Sequence, residues 1–277
     1  MTNRRTFVRK GLGVFAALSL PVIPTKASPS SKYKPKLGVA GYSFVNFNLD
    51  DSLKMMKRMQ IHYLCIKDFH LPLKSTEAEI AAFHKKLADA DVKGYAVGPL
   101  YMTKSLEEID NAFEYAKRVG VDLIIGIPRK EDLAYISGKA DEYGIRYAIH
   151  NHGPEDKLYP NSTVIYDLIK NLSPKMGICF DMGHNARDGQ DSVKDLKRYS
   201  ARIFDIHLKN ITESADTGKT TELSRGVIDI PAFVKVLKSV QYPGVCSLEF
   251  EKDMNDPLAG IAESAGYFRG VVDAICQ

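Results

Sequence analysis

The chain has 277 residues, 38 basic and 34 acidic, and is 44% hydrophobic, a length and composition that suit one large α/β core or two small domains. Its net charge of +4 is a property of the amino-terminal segment: residues 1–27 hold Arg4, Arg5, Arg9, Lys10 and Lys26 and no acid, so 33 basic residues remain against 34 acidic ones. The near-neutral remainder carries no charge signature for nucleic acid or an anionic membrane as partner.

Asn3 to Lys10 is a charged segment with a twin arginine, and Gly11 to Pro24 is an apolar stretch too short to span a bilayer comfortably. Residues 1–27 read as a twin-arginine export signal cleaved near Ser28. An uncleaved anchor is the alternative, against which Pro21, Pro24 and Thr25-Lys26-Ala27 read as a cleavage region. The mature protein is then expected in a bacterial periplasm, with no stable membrane association. Residues 28–36 read as a loose leader and residues 37–277 as one catalytic domain. Cys65, Cys179 and Cys246 fall in apolar runs and Cys276 near the carboxyl terminus, so buried free thiols are expected rather than a disulfide scaffold.

From Leu37 onward, strand and helix patterns alternate. Strands are expected at Leu37–Phe44, Ile61–Ile66, about Lys93–Val97 and Asp122–Ile127, then in runs ending at His150, Asp181 and His207, and at Val245–Phe250. Helices are expected around Leu53–Gln60, Thr76–Asp89, Ser105–Val119, Lys130–Tyr143, Thr163–Asn171, Ser192–Tyr199, Ile230–Val240 and Leu258–Ile275. Eight such units in about 250 residues predict a closed (β/α)8 TIM barrel. A doubly wound open sheet is the runner-up, but no GxGxxG follows a first strand, and Gly218-Lys219-Thr220 lacks the leading glycine of a P-loop.

Four consecutive apolar runs end abruptly in metal-competent side chains: His150, Asp181, His207 and Glu249, spaced by 31, 26 and 42 residues. Each interval is near one strand-helix unit, which would set the four on neighbouring staves at the carboxyl-terminal rim, where barrel active sites lie. Singly, each has an ordinary reading as a hydrogen-bonded histidine or a helix-capping aspartate. Jointly, buried charged groups at four strand ends require pairing or a metal. Two imidazoles and two carboxylates suit one divalent ion, Mn²⁺ or Zn²⁺ first, with Co²⁺ and Fe²⁺ compatible.

The segments Phe180-Asp181-Met182-Gly183-His184, His207-Leu208-Lys209-Asn210, Leu223 to Ile230 and Ser247-Leu248-Glu249-Phe250-Glu251 resemble those of the xylose isomerase-like barrels known as sugar phosphate isomerases/epimerases, from about Leu37 to the carboxyl terminus. The resemblance implies an enzyme that holds a sugar's oxygens on a divalent metal and moves protons on neighbouring carbons. One departure stands out. Where many members of the family have a glutamate before Asn and His, this chain has His150-Asn151-His152, so of the two glutamates that epimerases use on the two faces of one carbon, Glu249 alone remains.

Other proton carriers are therefore needed. Lys209, two residues beyond His207 on the same strand face, is a candidate acid or base; pairing with Glu251 or a substrate hydroxyl is the alternative. His152 and His184 are candidate acid/base groups or partners that orient Asp181. Arg225, in the longest loop, is a candidate clamp for substrate oxygens, or else a solvent-facing arginine. Glu251, Lys67 and Tyr101 are further candidate sugar contacts. The expected activity is metal-dependent isomerisation or epimerisation of a keto-sugar through enolisation. The alternatives are β-elimination from a 3-keto-glycoside by a lyase or hydratase, and a sugar-binding barrel without catalysis. A small carbohydrate is the expected partner, and homo-oligomerisation is left open.

Overall fold

The computed structural model describes residues 33–277, so the export segment read in residues 1–27 lies outside the described residues. The elements in chain order are β1 (Lys36–Ala40), α1 (Leu49–Met59), β2 (Tyr63–Ile66), α2 (Glu77–Asp89), β3 (Lys93–Met102), α3 (Leu106–Val119), β4 (Leu123–Pro128), α4 (Leu133–Tyr143), β5 (Arg146–His150) and α5 (Ser162–Ile169). They continue with β6 (Met176–Asp181), α6 (Met182–Arg187), α7 (Ser192–Tyr199), β7 (Ile203–Leu208), β8 (Asn210–Ile211), β9 (Thr220–Thr221), α8 (Ile230–Ser239), β10 (Val245–Leu248) and α9 (Leu258–Ile275). Eight parallel strands close into a barrel in the order β1-β10-β7-β6-β5-β4-β3-β2, with Lys36 opposite Val245 at the closure. The expected (β/α)8 TIM barrel is the observed fold.

Local chemistry accounts for many boundaries. Asn48 accepts from the Asp51 amide to start α1, Thr76 and Glu79 form a reciprocal capping box at α2, and Asp229 accepts from the Ala232 amide at α8. The strands are apolar on both faces because one face meets the helices and the other fills the barrel. The main core lies between strands and helices, from Val39 through Phe113, Ile178 and Phe233 to Phe268. The barrel interior holds a smaller set, Cys65, Leu123, Ile125, Ala148 and Cys179 among them. All four cysteines are buried and unpaired. No helix among the described residues is long and apolar enough to cross a membrane.

Several boundaries differ from the sequence pattern. Tyr33 and Lys34 are tied to the barrel, the hydroxyl donating to the Tyr242 carbonyl at 3.1 Å and the ammonium to Asp273 at 2.7 Å, and β1 starts at Lys36. That strand stops at Ala40 and gives way to a 3-10 turn, Gly41–Phe44, in which Ser43 donates to the Leu248 carbonyl and accepts from the Phe250 amide. β3 runs on past Gly98-Pro99, a pair that reads as a strand end. Gly98 has φ 129°, and a Cβ there would lie 2.1 Å from the Ile125 carbonyl oxygen, so glycine lets the strand pass β4. The helix expected from Lys130 opens with a 3-10 turn, Lys130–Asp132, and becomes α-helical at Leu133. The short α6 and the β8-β9 hairpin were not legible as elements in the pattern.

Candidate metal centre

His150 ends β5, Asp181 ends β6, His207 lies one residue before the end of β7, and Glu249 follows β10, so four adjacent staves deliver them to one rim. One ligand atom from each falls within 4.8 Å of the others. His150 Nε2 and His207 Nδ1 are 3.0 Å apart; Glu249 Oε2 is 3.0 Å from that Nδ1 and 3.7 Å from that Nε2; Asp181 Oδ2 is 3.8 Å from His150 Nε2. These separations fit a four-ligand shell at about 2.0–2.2 Å from a common centre. All four residues are buried, and Asp181 Oδ2 and Glu249 Oε2 have no well-aligned hydrogen-bond donor among the described residues. Buried carboxylate oxygens aimed at one point beside two imidazole nitrogens are what a divalent cation requires.

The charges are arranged unevenly. Burial pushes the Asp181 carboxyl up to about 7, the Lys209 ammonium opposing and the neighbouring Glu249 adding to the rise. Glu249 goes the other way: burial disfavours its charge, but the His207 ring and Lys209 hold it well below the usual carboxylate range. Burial, helped by His152, holds His150 neutral. Burial opposes charge on His207 as well, yet the facing Cys179, Glu249 and Asp205 hold it well above the imidazole range.

Lys209 stands inside this cluster. Its Nζ lies 2.7 Å from Glu251, 2.9 Å from Glu249, 3.0 Å from Asp181 and 3.0 Å from His184 Nε2, with the side chain 1% exposed. Burial disfavours the ammonium, but Asp181, Glu249 and Glu251 hold its pKa well above the ordinary value. The protein's own groups therefore favour a proton donor at this position. Gly183 makes room for it: a Cβ there would lie 2.7 Å from Lys209 Cγ.

His184 accepts from Lys209, its neutral form favoured by burial and the adjacent ammonium, and its amide donates to Asp181 Oδ1 at 2.8 Å. Asp181 thus caps α6 with one oxygen and faces the centre with the other. His152 packs edge-on against His150 at 4.4 Å and stacks on Tyr101 at 6.1 Å, which brings both to the mouth. Tyr101 is 64% exposed there. Lys67 is at the rim but engaged, donating to Asp68 and to the Pro99 carbonyl, each at 2.8 Å. Arg225 is not brought to the cluster, because its guanidinium is bonded to Glu263 of α9. Arg129 is likewise committed, to Asp132 at 2.7 and 2.9 Å.

Asn151 is a site residue that sequence reasoning passed over, although it stands between the two histidines. Its side chain donates to the Asp181 carbonyl and accepts from the Asp181 amide, both at 2.9 Å, locking the ends of β5 and β6 in register. A cavity of about 860 Å³ also opens at the amino ends of the strands, lined by Lys36, Lys93, Arg146 and Tyr242. It holds none of the metal-competent clusters found among the described residues, so the chemistry is read at the opposite rim.

The family described as xylose isomerase-like TIM barrel matches residues 40–271. An inosose dehydratase of Mesomycoplasma hyopneumoniae is 29% identical over 151 residues, 47% of this chain and 49% of that protein. The chain spans about half the length of the curated relatives it matches. Among solved structures, an uncharacterised protein from Parabacteroides distasonis is 26% identical with a TM-score of 0.65, over 84% of this chain and 97% of that one. The IolI protein, whose crystal structure holds a zinc atom, shares the fold with a TM-score of 0.69 at 19% identity, over 87% of this chain and 98% of that one.

Proposed function

The chain belongs to the xylose isomerase-like TIM-barrel family, and from that premise we propose that it is a divalent-metal enzyme that eliminates a β-oxygen substituent from a polyhydroxylated ketone of the keto-sugar or inosose class. His150, Asp181, His207 and Glu249 would hold the ion, with Zn²⁺ or Mn²⁺ favoured by the mixed nitrogen and oxygen donors. A cation bound there supplies Lewis-acid polarisation of a carbonyl and its neighbouring hydroxyl.

The observation that carries the proposal is the pair Glu249 and Lys209, a carboxylate held ionised beside an ammonium held protonated, 2.9 Å apart. One base and one acid on the same side of the centre suit elimination. Glu249 takes the proton from the carbon next to the carbonyl. Lys209 gives a proton to the departing oxygen, so a C–H and a C–O bond break, a C=C bond forms, and water or an alcohol leaves. Asp181 does not serve as a second base, because it caps α6 and faces the centre. The similarity to inosose dehydratase supports the same reaction class.

Isomerisation or epimerisation is the second reading, favoured by His152, which follows β5, packs against His150 and Tyr101 at the mouth, and would return the proton. The test is incubation of the metal-loaded protein with inososes, 3-keto-glycosides, ketoses and aldoses in D₂O. Elimination gives an unsaturated ketone with release of alcohol or water. Deuterium exchange without such release supports the second reading, and sugar binding without either would leave a non-catalytic barrel. If residues 1–27 direct export, this chemistry takes place in the periplasm.

A further inference from the structure

Beneath the four-residue centre, β7 turns a third carboxylate into the barrel. Inward positions on a strand recur every two residues, so Asp205, His207 and Lys209 stand one above another. Asp205 is fully buried. Its Oδ1 accepts from the Tyr95 hydroxyl at 2.9 Å, and that hydroxyl also meets Ser247 Oγ. Its Oδ2 faces the Cys179 thiol at 3.7 Å and His207 Nε2 at 3.4 Å. Among the described residues no lysine or arginine pairs with it, and the facing group that can carry positive charge is the His207 ring. A carboxylate is therefore set directly behind the His207 ring.

His207 supplies the reason. Its Nδ1 faces the centre, 3.0 Å from both Glu249 Oε2 and His150 Nε2, whereas its Nε2 points down the barrel at Asp205. An imidazole that binds a metal keeps one proton, on the nitrogen that does not coordinate, and the nitrogen that holds a proton cannot offer a lone pair. We infer that Asp205, anchored by Tyr95, is a positioning residue that keeps the His207 proton on Nε2 and so presents the Nδ1 lone pair to the metal centre. A carboxylate behind a ligand histidine also makes the ligand nitrogen more basic. Burial and the Asp205 charge hold the Tyr95 hydroxyl protonated, so it serves as a fixed donor to the carboxylate. Neither His207 Nε2 nor His150 Nδ1 has a well-aligned hydrogen-bond partner among the described residues, but His207 Nε2 has a carboxylate oxygen 3.4 Å away. The two histidines are therefore unequal ligands, and His207 is the one oriented from behind.

The inference rests on the metal centre and is independent of which reaction follows. It is tested on the full chain by ¹⁵N NMR of histidine-labelled, Zn²⁺-loaded protein and by Zn²⁺ titration. In the wild type, His207 should show Nε2–H with Nδ1 as the ligand nitrogen. Asp205→Asn should weaken Zn²⁺ binding about 10- to 100-fold and speed solvent exchange of the Nε2 proton, and Tyr95→Phe should act in the same direction more weakly. A wild-type ring with Nε2 on the metal and the proton on Nδ1 overturns the inference, even if Asp205→Asn does not fold. So does a folded Asp205→Asn protein that is less stable but binds Zn²⁺ within twofold of wild type. A wild-type protein that takes up no Zn²⁺ or Mn²⁺ overturns the metal centre itself, and this inference with it.

Discussion

Replacing Lys209 with methionine keeps most of the stem and deletes the charge at the point where the site's electrostatics converge. The ammonium is buried and lies 2.7–3.0 Å from Glu251, Glu249 and Asp181. At an effective dielectric near 20, one such pair attracts by about 5 kcal/mol, and the desolvation of the ions takes back much of this. Removing one member of a buried pair typically costs about 3–5 kcal/mol, because the partner is left uncompensated. In a barrel of this size that is roughly 6–20 °C in Tm. Asp181, already pushed up to about 7, would take up a proton and relieve part of the repulsion. A divalent cation would do the same, so the loss of Tm should be large with chelator and smaller with saturating Zn²⁺ or Mn²⁺. Turnover should fall about 10²- to 10⁴-fold, the usual weight of a general acid, while metal content stays near one per chain. Thermal melts with and without metal, metal analysis and turnover assays measure the three quantities. Near-normal turnover in a metal-replete variant would refute the role of Lys209 and make His152 the next proton carrier to test. Loss of metal together with turnover would instead make Lys209 a support for the ligands.

His207→Ala should cut metal content sharply with the barrel intact, since the rim contributes less to the core than the strand-helix packing does; full metal occupancy by elemental analysis would remove His207 from the centre. Gly183→Ala should displace the Lys209 stem, whose Cγ a new Cβ would meet at 2.7 Å. The expected cost is about 1–3 kcal/mol with a fall in turnover, and unchanged melting and rate would refute the packing argument. Glu222 is bonded by Lys252 at 2.8 Å, and that hydrogen bond lowers its carboxyl to about 2. A depressed carboxylate stabilises above its unfolded pKa of about 4.3 and loses that contribution as pH falls toward 2. Glu222→Gln should therefore lose about 1–3 kcal/mol at pH 7, with a gap from wild type that narrows by pH 3; a gap independent of pH would place the effect elsewhere.

The barrel and the identity of its rim residues were legible in the sequence because both are local properties. Apolar runs such as Met176–Phe180 are continuous because a parallel strand is buried on both faces, and the residue that follows, Asp181, stands at the rim wherever the strands close. The same holds for His150 and Glu249, and the helix boundaries at Thr76 and Ser192 follow from capping chemistry within a few residues. Where sequence reasoning stopped short, local and tertiary signals conflicted or the deciding partner was far away. Gly98-Pro99 reads as a strand end, yet β3 continues because the glycine can pass the Ile125 carbonyl on the neighbouring strand. A six-residue α6 containing Gly183 carries too little periodicity to read, and the cap that starts it is the same Asp181 that faces the centre. Arg225 is turned away from the rim by Glu263, 38 residues on. Lys209 could be placed on the right strand face from its distance to His207, but whether it was a free base or a caged ammonium depended on carboxylates from β6 and from the segment after β10. Spacing along the chain determines which residues reach the rim; the charge state each adopts depends on distances between strands, which exist only once the barrel has closed.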